Sequence, residues 1–313
     1  MMKKRKVGSS NLLVTEISLG TNAVGGHNLY ENIDDKDGIN LVNKAFDLGV
    51  NFFDTADVYG LGRSEELIGK ALGKRINDVY IATKGSIKWD DKLNFSLDNS
   101  PEYLRIALER SLKRLNRDYI DLYYIHKPDE NTPIEDSVGA LMRFKEEGKI
   151  RNCGVSNFNL KQLTEANKSG KIVALQSEYH ILNRKVEREG ILYFCMNNNI
   201  GFIPYGTLGF GILAGKYDKD FKLEKGDWRN SVPLFTPDAF QKNILIVEKL
   251  KEIAQKYDAS LSHLAQRWVL RHSFVPTTIT GAKKSEQVED NWKATGWDLS
   301  EEDIEVIDKI LYA

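Results

Sequence analysis

Short apolar runs, each closed by a polar residue and most followed by a segment with helical spacing, repeat along the chain. The first is Ile17 to Leu19, which ends at Gly20-Thr21-Asn22. Val50 to Asp54, Val79 to Lys84, Tyr119 to His126, Ile150 to Ser156, Val173 to Gln176, Ile200 to Tyr205 and Thr277 to Thr280 follow, making eight. Near-continuous apolar runs of this length read as strands buried on both faces. Ahead of them, Val7 to Ser18 reads as a hairpin around Gly8-Ser9-Ser10-Asn11.

Helix punctuation fills the gaps. Asp34 predicts the cap of a helix through Leu48, and Ser64 one to about Leu72. Ser100-Pro101 opens another, with Pro in the first turn, where its missing N–H costs nothing. Thr132-Pro133-Ile134-Glu135 reads as a capping box before a helix to Glu147. Leu160 to Lys168 and Val186 to Met196 are helical, whereas Gly206 to Phe235 has no clear period. Thr236-Pro237 starts a helix to about Tyr257, and further helices cover Leu261 to Arg271, the stretch from Ser285, and the end of the chain from Ser300.

Seven of the eight strands lead directly into a helix, an alternation that implies parallel strands. The expectation is one (β/α)8 TIM barrel over residues 1–313, with an N-terminal β-hairpin and extra C-terminal helices. An open doubly wound sheet is the competitor. It would usually carry a glycine-rich dinucleotide fingerprint after its first strand, and Gly20-Thr21-Asn22 is not one.

Composition narrows the partners. With 313 residues and 41% hydrophobic content there is ample material for a large core. Forty-four basic against 45 acidic residues give a net charge of -1, which provides no global field for nucleic acid or anionic membrane. No apolar run reaches the roughly 18 residues of a membrane span. Cys153 and Cys195 lie in apolar stretches without metal-ligand spacing and read as buried thiols of a reducing compartment. The expectation is a soluble cytoplasmic protein, monomeric for want of an extended apolar face, with no nucleic-acid or membrane partner and no metal.

In a barrel the C-terminal strand ends share one mouth, and chemistry sits there. Those ends supply Asp54 with Tyr59, Lys84, His126, Ser156-Asn157, Gln176 and Tyr205. Each alone has a bland reading: Lys84 as a snorkelling surface residue, His126 as a satisfied core residue, Ser156 and Asn157 as helix caps. Their coincidence on one rim favours chemistry. A phenol with an ordinary pKa of about 10 is a poor proton donor, and a nearby ammonium lowers that value. A carboxylate keeps such a buried ammonium charged, and a neutral imidazole can hydrogen-bond a carbonyl. The set would deliver a proton to an oxygen turning negative, and with no metal cluster and no Gly-x-Ser-x-Gly elbow the missing reagent is a hydride. A nicotinamide cofactor is implied.

Phe53-Asp54-Thr55-Ala56-Asp57-Val58-Tyr59-Gly60, Ala82-Thr83-Lys84 and Tyr124-Ile125-His126 resemble the catalytic tetrad segments of the aldo-keto reductases. The resemblance runs from Gly20 to the C-terminal helix. Gly206 to Lys216 and Gly281 to Asn291 are most similar to the bacterial general-stress or inositol-associated branches. It implies Tyr59 as general acid, Lys84 as the group lowering its pKa, Asp54 as the partner of Lys84, and His126 as carbonyl orienter. Gly20, Thr21, Asn22, Asp54, Ser156, Asn157 and Gln176 would surround the nicotinamide, with Tyr205 stacked on its ring. The backbone of Gly206, Leu208, Gly209 and Gly211, with Lys216, would approach the pyrophosphate. Gly281, Lys283, Gln287 and Asn291 would hold the adenosine end, with Lys283 on a 2′-phosphate and hence NADPH over NADH. Asn22, Tyr59, Trp89 and His126 would wall the substrate pocket, and Trp228 with Arg229, in the long loop, would fold over the cofactor or merely pack that loop down. Phe210 and Gln287 depart from arginines common in relatives, and Asn22 replaces an expected aromatic. Two other functions stay open: a Schiff-base aldolase built on Lys84, and a cofactor-sensing subunit resembling potassium-channel β-subunits. The latter would want a docking extension, and the first strand begins almost at once.

Overall fold

The structure, a computed structural model, describes residues 3–30 and 33–312. The N-terminal hairpin pairs β1 (Lys4–Lys6) with β2 (Leu13–Thr15), and β3 (Ile17–Gly20) then enters the main sheet. Helix α1 (Asp35–Asp47), β4 (Phe52–Asp54), α2 (Arg63–Leu72) and β5 (Tyr80–Gly85) follow. A second hairpin, β6 (Ile87–Trp89) with β7 (Phe95–Leu97), precedes α3 (Pro101–Leu115), β8 (Leu122–Ile125), α4 (Ile134–Glu146) and β9 (Cys153–Ser156). Next come α5 (Leu160–Ala166), β10 (Ile172–Glu178), α6 (Lys185–Arg188), α7 (Ile191–Asn197) and β11 (Gly201–Tyr205). The last elements are α8 (Pro237–Gln255), α9 (Leu261–Leu270), β12 (Thr278–Gly281), α10 (Ser285–Trp292) and α11 (Glu301–Tyr312).

Eight strands run parallel in the order β12, β3, β4, β5, β8, β9, β10, β11. β11 and β12 come side by side to close the wall, where Phe202 N–H donates to Phe274 O at 3.0 Å. Side chains alternate across it, as the two-residue period of a strand requires. Phe52, Ala82, Leu122, Tyr124, Ala174 and Ile203 fill the barrel, whereas Phe53, Ile81, Tyr123 and Ile125 face outward to helices. This is the expected (β/α)8 architecture. Among the described residues no helix is long and apolar enough to cross a membrane.

The N-terminal hairpin plugs the barrel, since Val7, Leu12 and Val14 pack into the same interior cluster. Its arms begin at Lys4, earlier than the apolar pattern suggested. At the turn, Gly8 has φ +49, and a Cβ there would lie 2.4 Å from Val173 O and 2.6 Å from Gly201 N. Only glycine fits. Glu16 is buried below the sheet, where Arg5 Nε and Arg267 Nη1 each donate to it at 2.8 Å. Hairpin and α9 are thereby tied by one carboxylate.

Two predicted caps form: Asp34 accepts from Lys36 N–H at 2.6 Å, and Ser100 from Tyr103 N–H at 3.2 Å. Three do not. α2 starts at Arg63 behind a left-handed Gly62, and the Ser64 hydroxyl turns inward to Thr21 O at 3.0 Å. Thr132 donates to Asp129 at 2.8 Å, so its capping box with Glu135 is absent and Pro133 stands at the helix start. Thr236 donates back to Pro233 O at 3.0 Å. The helix expected from Val186 to Met196 is broken into α6 and α7 by Gly190, whose φ is +74.

Candidate active site

Asp54 and Lys84 end neighbouring strands β4 and β5, and their side chains meet below the barrel rim. Lys84 Nζ donates to Asp54 Oδ1 at 2.5 Å and to Thr55 O at 2.7 Å, while Gln176 Nε2 donates to Asp54 Oδ2 at 2.7 Å. Both charged groups are buried, Lys84 completely. Burial pushes the Asp54 carboxyl up and the Lys84 amine down, and each partner's charge opposes the shift. Asp57 and Glu65, both buried, further favour the ammonium.

Tyr59 lies above this pair, its ring centroid 5.4 Å from Lys84 Nζ and 6.2 Å from the His126 ring, which meets it edge-on. Burial, then the charge of Asp54, drive the Tyr59 hydroxyl well above its ordinary value. This reverses the sign expected from the sequence. The ammonium is already neutralised by its own carboxylate, so desolvation of the phenolate dominates and the hydroxyl keeps its proton at rest. Burial and the nearby ammonium hold His126 well below the ordinary imidazole value, so its ring is neutral. The His126 Nδ1 atom is buried and has no hydrogen-bond partner among the described residues.

Asp54, Tyr59 and His126 line one cavity of about 1030 Å³, at the upper end of the roughly 300–1,000 Å³ of ligand clefts. Gly20, Thr21, Asn22, Ser156, Asn157, Gln176, Tyr205, Gly206, Leu208, Gly211, Gly281, Lys283 and Gln287 line it too. Lys84 sits behind Asp54 and reaches the site only through its partners. Gly209 is buried under the loop, and Lys216 is exposed while its neighbour Tyr217 faces the cavity. Asn291 is buried outside the cavity, where its Oδ1 accepts from Gln266 Nε2 at 3.3 Å. Trp89 stands on the β6–β7 hairpin paired with Phe95, and does not wall the cavity. That hairpin is written in the sequence as the alternation Ile87-Lys88-Trp89 and Phe95-Ser96-Leu97 around a polar turn, a signal the sequence reading passed over.

The cavity suits a dinucleotide. Gly211 has φ +108 at its edge, and a Cβ there would come within 2.7 Å of Tyr217 Oη. Gln176 lines the cavity with its Nε2 held on Asp54, and its amide oxygen is an acceptor that suits a carboxamide. Gln287 Oε1 accepts from Lys283 N–H at 2.7 Å and Lys284 N–H at 3.1 Å, closing the start of α10 with a side chain. Lys283 Nζ lies 4.4 Å over the Tyr30 ring, and Tyr30 Oη accepts from Asn22 Nδ2 at 2.9 Å.

Sequence reasoning missed several wall residues. Asn28 fixes the turn that carries Tyr59: its Oδ1 accepts from Gly60 N–H at 2.7 Å and its Nδ2 donates to Val58 O at 3.0 Å. Tyr30 and Asp227 were missed as well, whereas Trp228 and Arg229, which the sequence offered as folding over the cofactor or packing the long loop, do line the cavity, and Arg229 Nη1 donates to Tyr217 Oη at 2.7 Å. Trp228 packs edge-on against Phe210 with centroids 5.4 Å apart. These residues sit in loops without periodicity, so the chemistry of the strand ends was the stronger pointer to the site.

Comparison with known proteins gives the family. Residues 16–312 match the model of the Aldo/keto reductase family. The chain is 35% identical to the aldo-keto reductase YhdN of Bacillus subtilis, over 99% of this chain and 94% of that one. It is 33% identical to the NADH-specific methylglyoxal reductase of Escherichia coli, over 96% of each. The structure of the glycerol dehydrogenase AKR11B4 from Gluconobacter oxydans superposes with a TM-score of 0.92 at 33% identity, covering 99% of this chain and 95% of the other.

Proposed function

The chain belongs to the aldo/keto reductase family, an oxidoreductase family, and from that premise we propose that it reduces aldehydes or ketones with NADPH, Tyr59 giving the proton. The observation that carries this reading is the buried Lys84–Asp54 pair set under Tyr59 and His126 at the floor of one cavity. A bound nicotinamide supplies the hydride, which no side chain can. His126, neutral and part of the cavity wall, orients the carbonyl oxygen. As that oxygen gains charge it becomes basic enough to take the Tyr59 proton, even from a phenol that burial has made reluctant. Lys84 then faces the phenolate, and Asp54 and Gln176 hold the amine in place. The role of Lys84 is electrostatic. Its amine is spent on Asp54 and Thr55 O and does not reach the cavity, which argues against a Schiff base.

Tyr59→Phe is expected to remove reduction of an activated benzaldehyde while NADPH binding stays within a few-fold. Near-normal turnover by that variant would sink the assignment. NADPH preference rests on Lys283, an exposed cation at the cavity edge. Fluorescence titration should give tighter binding of NADPH than NADH, and Lys283→Ala should shrink that difference by about tenfold, the scale of one charge-assisted hydrogen bond. Equal affinities in the parent protein would move this chain toward the preference named for its Escherichia coli relative.

A further inference from the structure

The family resemblance gives Tyr205 a ring and leaves its hydroxyl without a task. In the structure that hydroxyl donates to Asn157 Oδ1 at 2.8 Å. Asn157 Nδ2 in turn donates to the main-chain oxygen of His126 at 3.1 Å and to Ser156 Oγ at 3.0 Å. Three strand ends are joined this way around the rim: β11 through Tyr205, β9 through Asn157, and β8 through His126.

The direction of the amide is fixed by chemistry. A carbonyl oxygen can only accept, so the Asn157 NH2 must face His126 O, and the Tyr205 O–H must face Oδ1. Rotating the amide by half a turn would set two acceptors against each other at His126. Asn157 also adopts φ +61, a left-handed conformation that asparagine tolerates better than most residues, and this folds its side chain back over the rim. On its other side, the His126 N–H is held by Ser86 Oγ at 3.0 Å and Gly85 O at 2.9 Å. His126 is therefore clamped at both main-chain ends, and one clamp depends on a phenol three strands away.

We propose that the Tyr205 hydroxyl is a positioning group, which acts through the Asn157 amide to set the direction of the His126 ring. The proposal rests on the reading of His126 as carbonyl orienter. Tyr205→Phe keeps a flat ring for the cofactor but frees the Asn157 amide to turn. Misplacing a substrate-holding group by a fraction of an ångström to one ångström costs about tenfold to a hundredfold in rate.

The test is a double-mutant cycle with Tyr205→Phe, Asn157→Gly and the pair, glycine being chosen because it keeps the positive φ. At saturating NADPH, each single variant should lose about tenfold or more in kcat. The double variant should be no worse than Asn157→Gly alone, and NADPH affinity of Tyr205→Phe should stay within about threefold by fluorescence. Wild-type kcat in Tyr205→Phe, or losses that multiply in the double variant, would overturn the bridge. A second readout needs no turnover: the ring nitrogens of His126 in 15N-histidine-labelled protein, identified by their loss in His126→Gln. They should shift in both single variants and no further in the double. Unmoved His126 signals overturn the bridge, whereas absence of carbonyl turnover in the unmodified protein with moving signals overturns the reductase reading alone.

Discussion

Lys84 is completely buried, and among the described residues Asp54 and the Thr55 carbonyl satisfy its amine. Such a pair contributes little net stability, because each charge has given up its hydration, but breaking it leaves the survivor stranded. Lys84→Met should therefore destabilise the protein by about 3–5 kcal/mol in urea denaturation. Adding Asp54→Asn should recover most of that loss without restoring turnover. A Lys84→Met variant of parental stability would mean that Asp54 is already neutral. Tyr59 shows the same desolvation from the other side: its hydroxyl is pushed up because a phenolate in that place is worse than a phenol.

Two elements carry consequences their sequences do not advertise. The β1–β2 hairpin is short, yet Val7, Leu12 and Val14 complete the barrel interior. Gly8→Ala would set a methyl group against the main chain of β10 and β11 while forcing alanine into φ +49. The expected cost exceeds about 1 kcal/mol, read as a lower urea midpoint with unchanged slope, since a left-handed alanine is strained before any clash is counted. Parental stability would show that the hairpin is not seated as described. The caps teach a related lesson at Ser64 and Thr132. Both have capping chemistry, but Thr21 and Asp129 offer their hydroxyls nearer partners. A local motif is only one bidder for a hydroxyl group.

Across the whole molecule, buried bases give stability a sign with pH. His126 lies well below its ordinary value, and burial beside Arg271 brings His272 down to about 4. Their folded pKa values are depressed relative to an unfolded value of about 6.5, so the unfolded chain binds more protons between the two. This share of stability is present above about pH 6.5 and is lost as pH falls toward 4. Asp57 runs the other way, because burial and Glu65 raise its carboxyl and its share is lost as pH rises. The histidine effect is isolated by difference: the gap between parent and His272→Gln should narrow as pH falls from about 6.5 to 4 in parallel denaturation curves. A gap that stays constant would show that His272 titrates normally in the folded chain.

The eight-strand repeat was legible because burial on both faces writes itself as continuous apolar runs, and the polar residue ending each run named the rim. Asp54, Lys84 and His126 could be picked out for that reason, with Tyr59 in the loop beyond and Ser156, Asn157, Gln176 and Tyr205 at the later strand ends, whereas the loop glycines and the residues near α10 came only with the family resemblance. The alternation of Phe52 inward and Phe53 outward follows from the same local rule. Distance was not legible. Whether Trp89 reaches the cavity, whether Asn291 faces it, and which loops close it depend on aperiodic segments whose course is set by packing against remote chain. The sign of the shift at Tyr59 was also decided there, since desolvation depends on every neighbour at once, whereas sequence spacing reports only which charges can be close.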